Sequence, residues 1–369
     1  MILKNINLIN FRNYKSAKVN LNSGINIFYG DNAQGKTNLL ESVYVLALTK
    51  SHKSYIDNNL VFKGKDKATI TGTIIKNNLK TKLEVSLKNK EKILKIDNNI
   101  ESKINKYVSN LNIIFFYPED LELIKGNPVL RRKYLNTELS QLQTNYMIIL
   151  NDYNKLIKIK NLFLKTKKLD NKINYDYFEI LNNHIIKKAI PIYILRNKYI
   201  NKINFYVEKI FFDLTGLHNF EIKYKTGLEI EFNNNNLFNK LKERLENNIE
   251  NEVRLKKCLV GPHLDDIEFY LDGVNLKFHG SQGQQRIAVL AMKLAEVEIF
   301  KQYSSSSPIL LLDDVFSELD NKKKNKLIKY IDGEMQSIIT TTDLKNINKK
   351  LLINSKIFKV INGNIEEEV

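Results

Sequence analysis

Between residues 25 and 47 an alternating apolar stretch runs into a glycine-rich turn and then into a helical pattern. Ile25, Ile27 and Tyr29 occupy alternate positions, as a buried strand places them. Leu39, Leu40, Val43, Leu46 and Ala47 then recur at helical spacing. The turn between them reads Gly30-Asp31-Asn32-Ala33-Gln34-Gly35-Lys36-Thr37. Strand, turn and helix in that order commit the chain to a parallel α/β sheet. Gly30 and Gly35 let backbone amides curl around phosphate oxygens, Lys36 reaches the terminal phosphates, and the Thr37 hydroxyl can hold magnesium.

Two further pieces lie roughly 250 to 280 residues later. Pro308 opens the apolar run Ile309 to Leu312, short enough for a buried parallel strand, which ends in Asp313-Asp314. Beside a P-loop, the first carboxylate suits magnesium and the second suits the attacking water. Taken alone, the pair reads equally as two solvated carboxylates after a core strand. Ser281-Gln282-Gly283-Gln284-Gln285 precedes the helical pattern Ile287, Leu290, Ala291, Leu294, Ala295, Val297 and Glu298. Free amides at that helix start favour an anion. One nucleotide is already cradled by the P-loop, so this start suggests a second nucleotide contact, on another subunit. An ordinary N-cap is the other reading.

Together with Ser317-Glu318-Leu319-Asp320, these motifs resemble the ATP-binding cassette heads of the SMC-like DNA-repair ATPases, and more narrowly the RecF family. The narrower resemblance rests on Leu8 to Tyr14, Ser51-His52-Lys53 and Phe116 to Leu121. It rests also on Gly126-Asn127-Pro128 with Arg131-Arg132, and on Gly261 to Asp266. The resemblance implies an α/β fold, a P-loop cassette head carrying an inserted α-helical arm. It implies ATP and magnesium as cofactors, held by Gly30, Asp31, Asn32, Ala33, Gln34, Gly35, Lys36 and Thr37, with Asp313 as the second magnesium ligand. It makes Lys36, Asp313 and Asp314 the catalytic group. It carries Ser281, Gly283 and Gln284 to the γ-phosphate bound by a partner subunit, Asp320 to the dimer interface, and Arg12 to the nucleotide. An ATP-dependent homodimer on DNA follows, acting at single-strand gaps and junctions with RecO and RecR to load RecA and induce the SOS response. Asp314 where many relatives have glutamate, and Thr341-Thr342-Asp343 with no switch histidine, suggest slow hydrolysis. Another SMC-like scaffold, or a transporter-type cassette, shares the head motifs.

Formal charge is +17, from 58 Lys+Arg against 41 Asp+Glu, which favours a polyanionic partner. Asparagine tracts such as Asn233 to Asn236 offer codon bias as another source of that charge. Candidate DNA cations are Lys50, Lys53, Lys63, Lys65 and Lys67, then Arg131, Arg132 and Lys133, then Lys165, Lys167 and Lys168. The single cysteine, Cys258, excludes an intrachain disulfide and a cysteine zinc site. No apolar run approaches a membrane span, and a cytoplasmic protein is expected.

The domains expected are a head at 1–128 and 258–369, with the arm at 129–257. Thr69 to Ile75 and Leu79 to Leu87 form a hairpin turning at Asn77-Asn78. In the arm, Leu135 to Leu156 and Phe178 to Ile210 step by three and four, as two long antiparallel helices with Lys165 to Asn174 at the tip. Pro191 is expected to kink or break the second. An arm of about 130 residues is far shorter than an SMC coiled coil and has no zinc-hook cysteines.

Overall fold

The computed structural model describes residues 1–53, 57–88, 91–166, 175–227, 236–303, 306–331, 335–347 and 349–368. Lys167 and Lys168, most of the expected arm tip, and Asn233 to Asn235 lie outside the described residues. The chain forms two compact units. The first comprises Met1–Leu121, Lys209–Leu217 and Arg286–Val369, and the second Glu122–Glu208 and His218–Gln285. These divisions differ from boundaries at 128/129 and 257/258. The helical periodicity of the arm carries no mark of the strands that join it, and those strands extend the second unit well past residue 257.

The first unit holds two sheets. One orders its strands Asn364–Glu368, Ser355–Ile361, Ile25–Tyr29, Ser337–Thr341, Ile309–Asp313 and Ile113–Phe116. The central pairings are parallel, and Ile113–Phe116 and the Ile309 to Leu312 run read as continuous apolar stretches because both of their faces are covered. Ile309–Asp313 and Ser337–Thr341 are buried at every position. The second sheet is antiparallel, in the order Tyr14–Asn20, Ile2–Phe11, Lys67–Lys76, Leu79–Lys88, Glu91–Ile96 and Asn99–Ile100. Its central hairpin turns at Asn77 and Asn78, both at positive φ, as a two-residue primed turn requires. The helix Lys36–Leu48 is almost wholly buried, packed against both sheets.

In the second unit the chain departs from the two-helix expectation. Three helices, Pro128–Leu142, Thr144–Thr166 and Tyr175–Thr215 (its last turns, from Lys209, belonging to the first unit), replace two. Gln143 is extended (φ −139°, ψ 104°) and interrupts the seam that the apolar spacing runs straight through. Hydrophobic period records which face is buried, and two helices burying the same face in succession read as one. Pro191 lies inside the 41-residue helix without ending it. Ala189, Ile192, Tyr193 and Arg196 are all buried around it, and burial on this scale offsets the roughly 3 kcal/mol an internal proline costs. A three-stranded antiparallel sheet, Val274–Asn275, Asp266–Leu271 and Phe220–Lys225, and the helices Leu237–Asn247 and Ile249–Leu255 also belong to the unit.

The Gly261 to Asp266 segment is the hub of that unit. Arg196, 1% exposed, donates to Pro262 O (2.5 Å), Asp265 Oδ2 (3.1 Å), Tyr146 Oη (3.1 Å) and Asn136 Oδ1 (2.9 Å). Arg131 is also buried and makes a bidentate pair with Asp266 at 2.6 and 2.8 Å, and Arg132 donates to Asp265 O at 2.7 Å. Arg131 is thereby withdrawn from the candidate DNA cations, because its guanidinium is consumed inside the fold. Cys258 is buried, and burial pushes its thiol up to about 11. Among the described residues no helix is long and apolar enough to cross a membrane.

His263 bonds Tyr153 Oη through Nδ1 at 2.6 Å and faces Cys258 O through Nε2 at 3.3 Å, a structural role. Burial holds its imidazole down at about 4, against an ordinary 6.5. The folded chain then stays neutral at His263 where the unfolded chain binds a proton. Its stabilisation is complete above pH 6.5 and is lost as pH falls toward 4. Unfolding free energy measured in urea should drop across that window, and His263→Gln should make the drop shallower. An equal slope in both proteins would remove His263 from the acid sensitivity.

Candidate functional site

Parallel pairing brings three strand ends to one edge. Tyr29 ends the strand before the turn and is in register with Thr341, and Thr340 is in register with Asp313. The turn Gly30 to Gly35 then leads into the helix Lys36–Leu48. Gly30 (φ +152°) and Gly35 (φ +117°) adopt backbone conformations that a side chain would strain. Any Cβ at Gly35 would also meet Asn13 Nδ2 at 2.5 Å.

Above this edge lies a cavity of about 300 Å³. It is lined by Asn32, Ala33, Gly35, Lys36, Thr37 and Asn38 from the turn and helix, and by Asp313 and Asp314. Lys53, Pro118 and Glu119 close its other side. The Lys36 ammonium donates to Gly30 O (2.5 Å) and Asp31 O (2.8 Å). Burial pulls its pKa down, opposed by the carboxylates of Asp314, Asp313 and Asp31. The Thr37 hydroxyl donates to Asp313 Oδ1 at 3.1 Å, and the Thr340 hydroxyl donates to the same oxygen at 2.6 Å.

The two carboxylates differ in environment. Asp313 is 4% exposed, and burial pushes its pKa above the usual 3.8 against the hydroxyls of Thr340 and Thr37. Asp314 sits at φ +51°, its N–H donating to Thr340 at both Oγ1 (3.1 Å) and O (3.2 Å). That left-handed residue turns the chain sharply off the strand. Its Oδ1 is buried with no hydrogen-bond partner among the described residues. A buried, unpartnered carboxylate oxygen beside a hydroxyl–carboxylate pair suits a hard cation with a phosphate. The donor set therefore fits magnesium and a nucleoside triphosphate.

The other candidates are placed as follows. Gln34 does not line the cavity; its side chain accepts from Asn362 N–H. Arg12 also stays outside the lining. Its Nε and Nη2 make a bidentate pair with Glu41 (2.8 and 2.7 Å), and Nη1 donates to Asn59 O at 2.8 Å. Asp320 accepts from Lys323 N–H at 2.9 Å and pairs with the Lys323 ammonium, which holds its carboxyl below the usual range. Ser281, Gly283 and Gln284 belong to the second unit. There Ser281 Oγ accepts from Gln284 N–H (3.2 Å) while Gln284 Oε1 accepts from Ser281 N–H (2.9 Å), a reciprocal capping box. The N-cap reading is therefore realised in the geometry.

Sequence reading missed Lys53 and Glu119 as cavity residues. The sequence places Lys53 among the candidate DNA cations; in the structure it stands 3.8 Å from Glu119 and its charge opposes the burial-driven rise of the Asp313 pKa. Its neighbour His52 is packed among Tyr44, Phe115 and Tyr117. No local sequence signal marks Lys53 as a cavity residue, because the aromatic seat beside it is assembled from Tyr44, Phe115 and Tyr117.

A P-loop and an acid-ended strand at one edge of a parallel sheet define a cassette-type nucleotide head, and the family model for the RecF/RecN/SMC N terminal domain matches residues 2–366. The DNA replication and repair protein RecF of Streptococcus pneumoniae (strain JJA) is 38% identical over 364 residues, 98% of each chain. The chain belongs to the RecF family. Two solved structures of the recombination mediator protein RecF in the RecFOR pathway are similar throughout. One, of RecF-ATP, gives a TM-score of 0.91 at 32% identity, covering 100% of this chain and 97% of that chain. The other, of RecF-ATPrS, gives 0.89 at 31%, covering 100% and 98%. An Smc head bound to the C-winged helix domain of ScpA shares the fold at 14% identity and a TM-score of 0.56.

Asp313→Asn keeps an oxygen for Thr340 and Thr37 while removing a buried charge. It should raise stability in the absence of nucleotide by about 1 kcal/mol, read from the urea midpoint. A lowered midpoint would mean that the two hydroxyls outweigh the burial cost.

Proposed function

We propose that this chain is a cytoplasmic ATP-dependent DNA-binding ATPase of recombinational repair and replication. The observation that carries the proposal is the convergence on one cavity of Lys36, the Thr37–Asp313 pair and the unpartnered Asp314 Oδ1. RecF–ATP, at 32% identity, supports ATP as the occupant.

In this reading the amides of Gly30 to Thr37 hold the phosphates. The Lys36 ammonium leaves Gly30 O and Asp31 O for the β- and γ-phosphates, and Lys53 adds a cation from the facing wall. Thr37 and Asp313 hold magnesium, which when bound neutralises phosphate charge. Asp314 orients the attacking water through its carboxylate, whose Oδ1 has no hydrogen-bond partner among the described residues. Its side chain is one methylene shorter than glutamate, consistent with slow, weak hydrolysis. Ser281, Gly283 and Gln284 reach the γ-phosphate on a second copy of the chain, and Asp320 crosses between copies, so that ATP binds two subunits together around DNA. The positive balance of the chain supports backbone recognition of DNA at single-strand gaps and junctions. RecO and RecR are the proposed partners, since the related structures concern the RecFOR pathway, and RecA loading with SOS induction is the proposed outcome.

Lys36→Ala should lower ATP affinity at least about 100-fold and abolish ATP-dependent dimerisation, followed by light scattering. A mutant that still dimerises on adding ATP would sink the clamp. Asp314→Asn should hold the ATP-bound dimer on gapped DNA, with turnover reduced about 100-fold. Release at the wild-type rate would remove Asp314 from the hydrolytic step.

A further inference from the structure

A loop that points its amides inward turns its carbonyls outward, and each needs a partner. In the P-loop, Gly30 O and Asp31 O are taken by Lys36, and Gly35 O by the Tyr14 hydroxyl at 2.9 Å. Gln34, at the crown of the loop, is served from the far end of the sequence. Its backbone carbonyl accepts from Gly363 N–H at 3.1 Å, and its side-chain Oε1 accepts from Asn362 N–H at 2.6 Å, 328 residues away. Asn13 Nδ2 also donates to Gln34 O at 3.1 Å.

Asn362 and Gly363 are the two turn residues between Ser355–Ile361 and Asn364–Glu368, at φ +48° and +76°. Such a primed turn is required to close a two-residue hairpin. The ladder ends at Ile361↔Asn364, so it leaves both turn N–H groups to Gln34. The seat is close: a Cβ at Gly363 would meet Asn13 O at 2.7 Å, and one at Gly30 would meet Val360 O at 2.4 Å. The hairpin strand Ser355–Ile361 is itself fixed by parallel pairing to Ile25–Tyr29, the strand that enters the loop.

We infer that the C-terminal hairpin turn is the positioning element of the P-loop, with Asn362 and Gly363 holding Gln34 so that the loop keeps its anion-binding shape. The inference rests on the ATP reading above. Neither residue touches the cavity, so their effect falls on nucleotide affinity through preorganisation and leaves the chemical step alone.

The test uses the full chain with Mg-ATP, measuring Kd with a fluorescent ATP analogue, kcat at saturating ATP, and Tm. Gly363→Ala introduces the clash with Asn13 O, and Gln34→Ala removes the Oε1 acceptor without changing the backbone. Each should weaken ATP binding about tenfold, and Gly363→Ala should keep kcat within about twofold of wild type. Gly216→Ala is the control. Gly216 also has positive φ (+79°), but a Cβ added there would meet nothing within 4 Å among the described residues, so the variant carries the backbone strain alone and should leave ATP affinity unchanged. Folded Gly363→Ala and Gln34→Ala proteins with wild-type Kd, or with a fall in kcat at unchanged Kd, would overturn the inference. If Gly363→Ala does not fold, Gln34→Ala decides by itself. Wild-type protein that binds no ATP overturns the nucleotide reading, and this inference with it. A wild type that binds ATP and variants that bind it equally well overturn this inference alone.

Discussion

Parallel pairing among Ile25–Tyr29, Ser337–Thr341 and Ile309–Asp313 is the constraint on which the rest of the molecule depends. These strands are far apart in the chain, yet their register sets Tyr29 beside Thr341 and Thr340 beside Asp313. Thr340 can then donate to the carboxylate and also accept from the N–H of Asp314. A shift of one residue would turn the threonine to the other face and leave Asp313 buried without it. Full burial of the inner strands, through apolar contacts on both faces, is what holds the register.

Strain and unsatisfied groups gather at the same edge. Asp314 in a left-handed conformation and its unpartnered oxygen each cost stability, and the two loop glycines take backbone conformations that other residues would strain to adopt. The surroundings offset that cost with a dense set of local bonds, from Tyr14 and Asn13 on one side and the C-terminal turn on the other. A site built this way is poised for an anion and a cation together. In the second unit the polar investment goes to a different end. Arg196 and Arg131 are spent on Asp265, Asp266 and the Gly261 to Asp266 segment, fixing one arrangement of helices against a small sheet.

Much of this was legible in the sequence, and the limits have physical causes. The strand–turn–helix around Gly30 to Thr37 and the strand ending at Asp313 could be read because each is signalled by neighbours within a few residues. The Asn77-Asn78 hairpin was readable for the same reason, since two residues able to take positive φ stand between two alternating strands. The interruption at Gln143 was not, because hydrophobic period records burial and the same face continues across the break. Arg131 and Arg132 read as surface charge, because a string of residues does not show that Asp265 and Asp266 wait for them some 135 positions away.

The sequence by itself determined the local chemistry: which residues form the phosphate loop, which strand ends in carboxylates, and that serine, glycine and glutamine open a long helix. Tertiary structure alone decided which groups share a cavity. It set Lys53 on the cavity wall, tied Arg12 to Glu41, and brought Asn362 and Gly363 onto Gln34. The reason is that propensity and periodicity act over a few residues. Hydrogen bonds between residues 300 positions apart depend on sheet register, and register is fixed only when the buried faces of all the strands are packed at once.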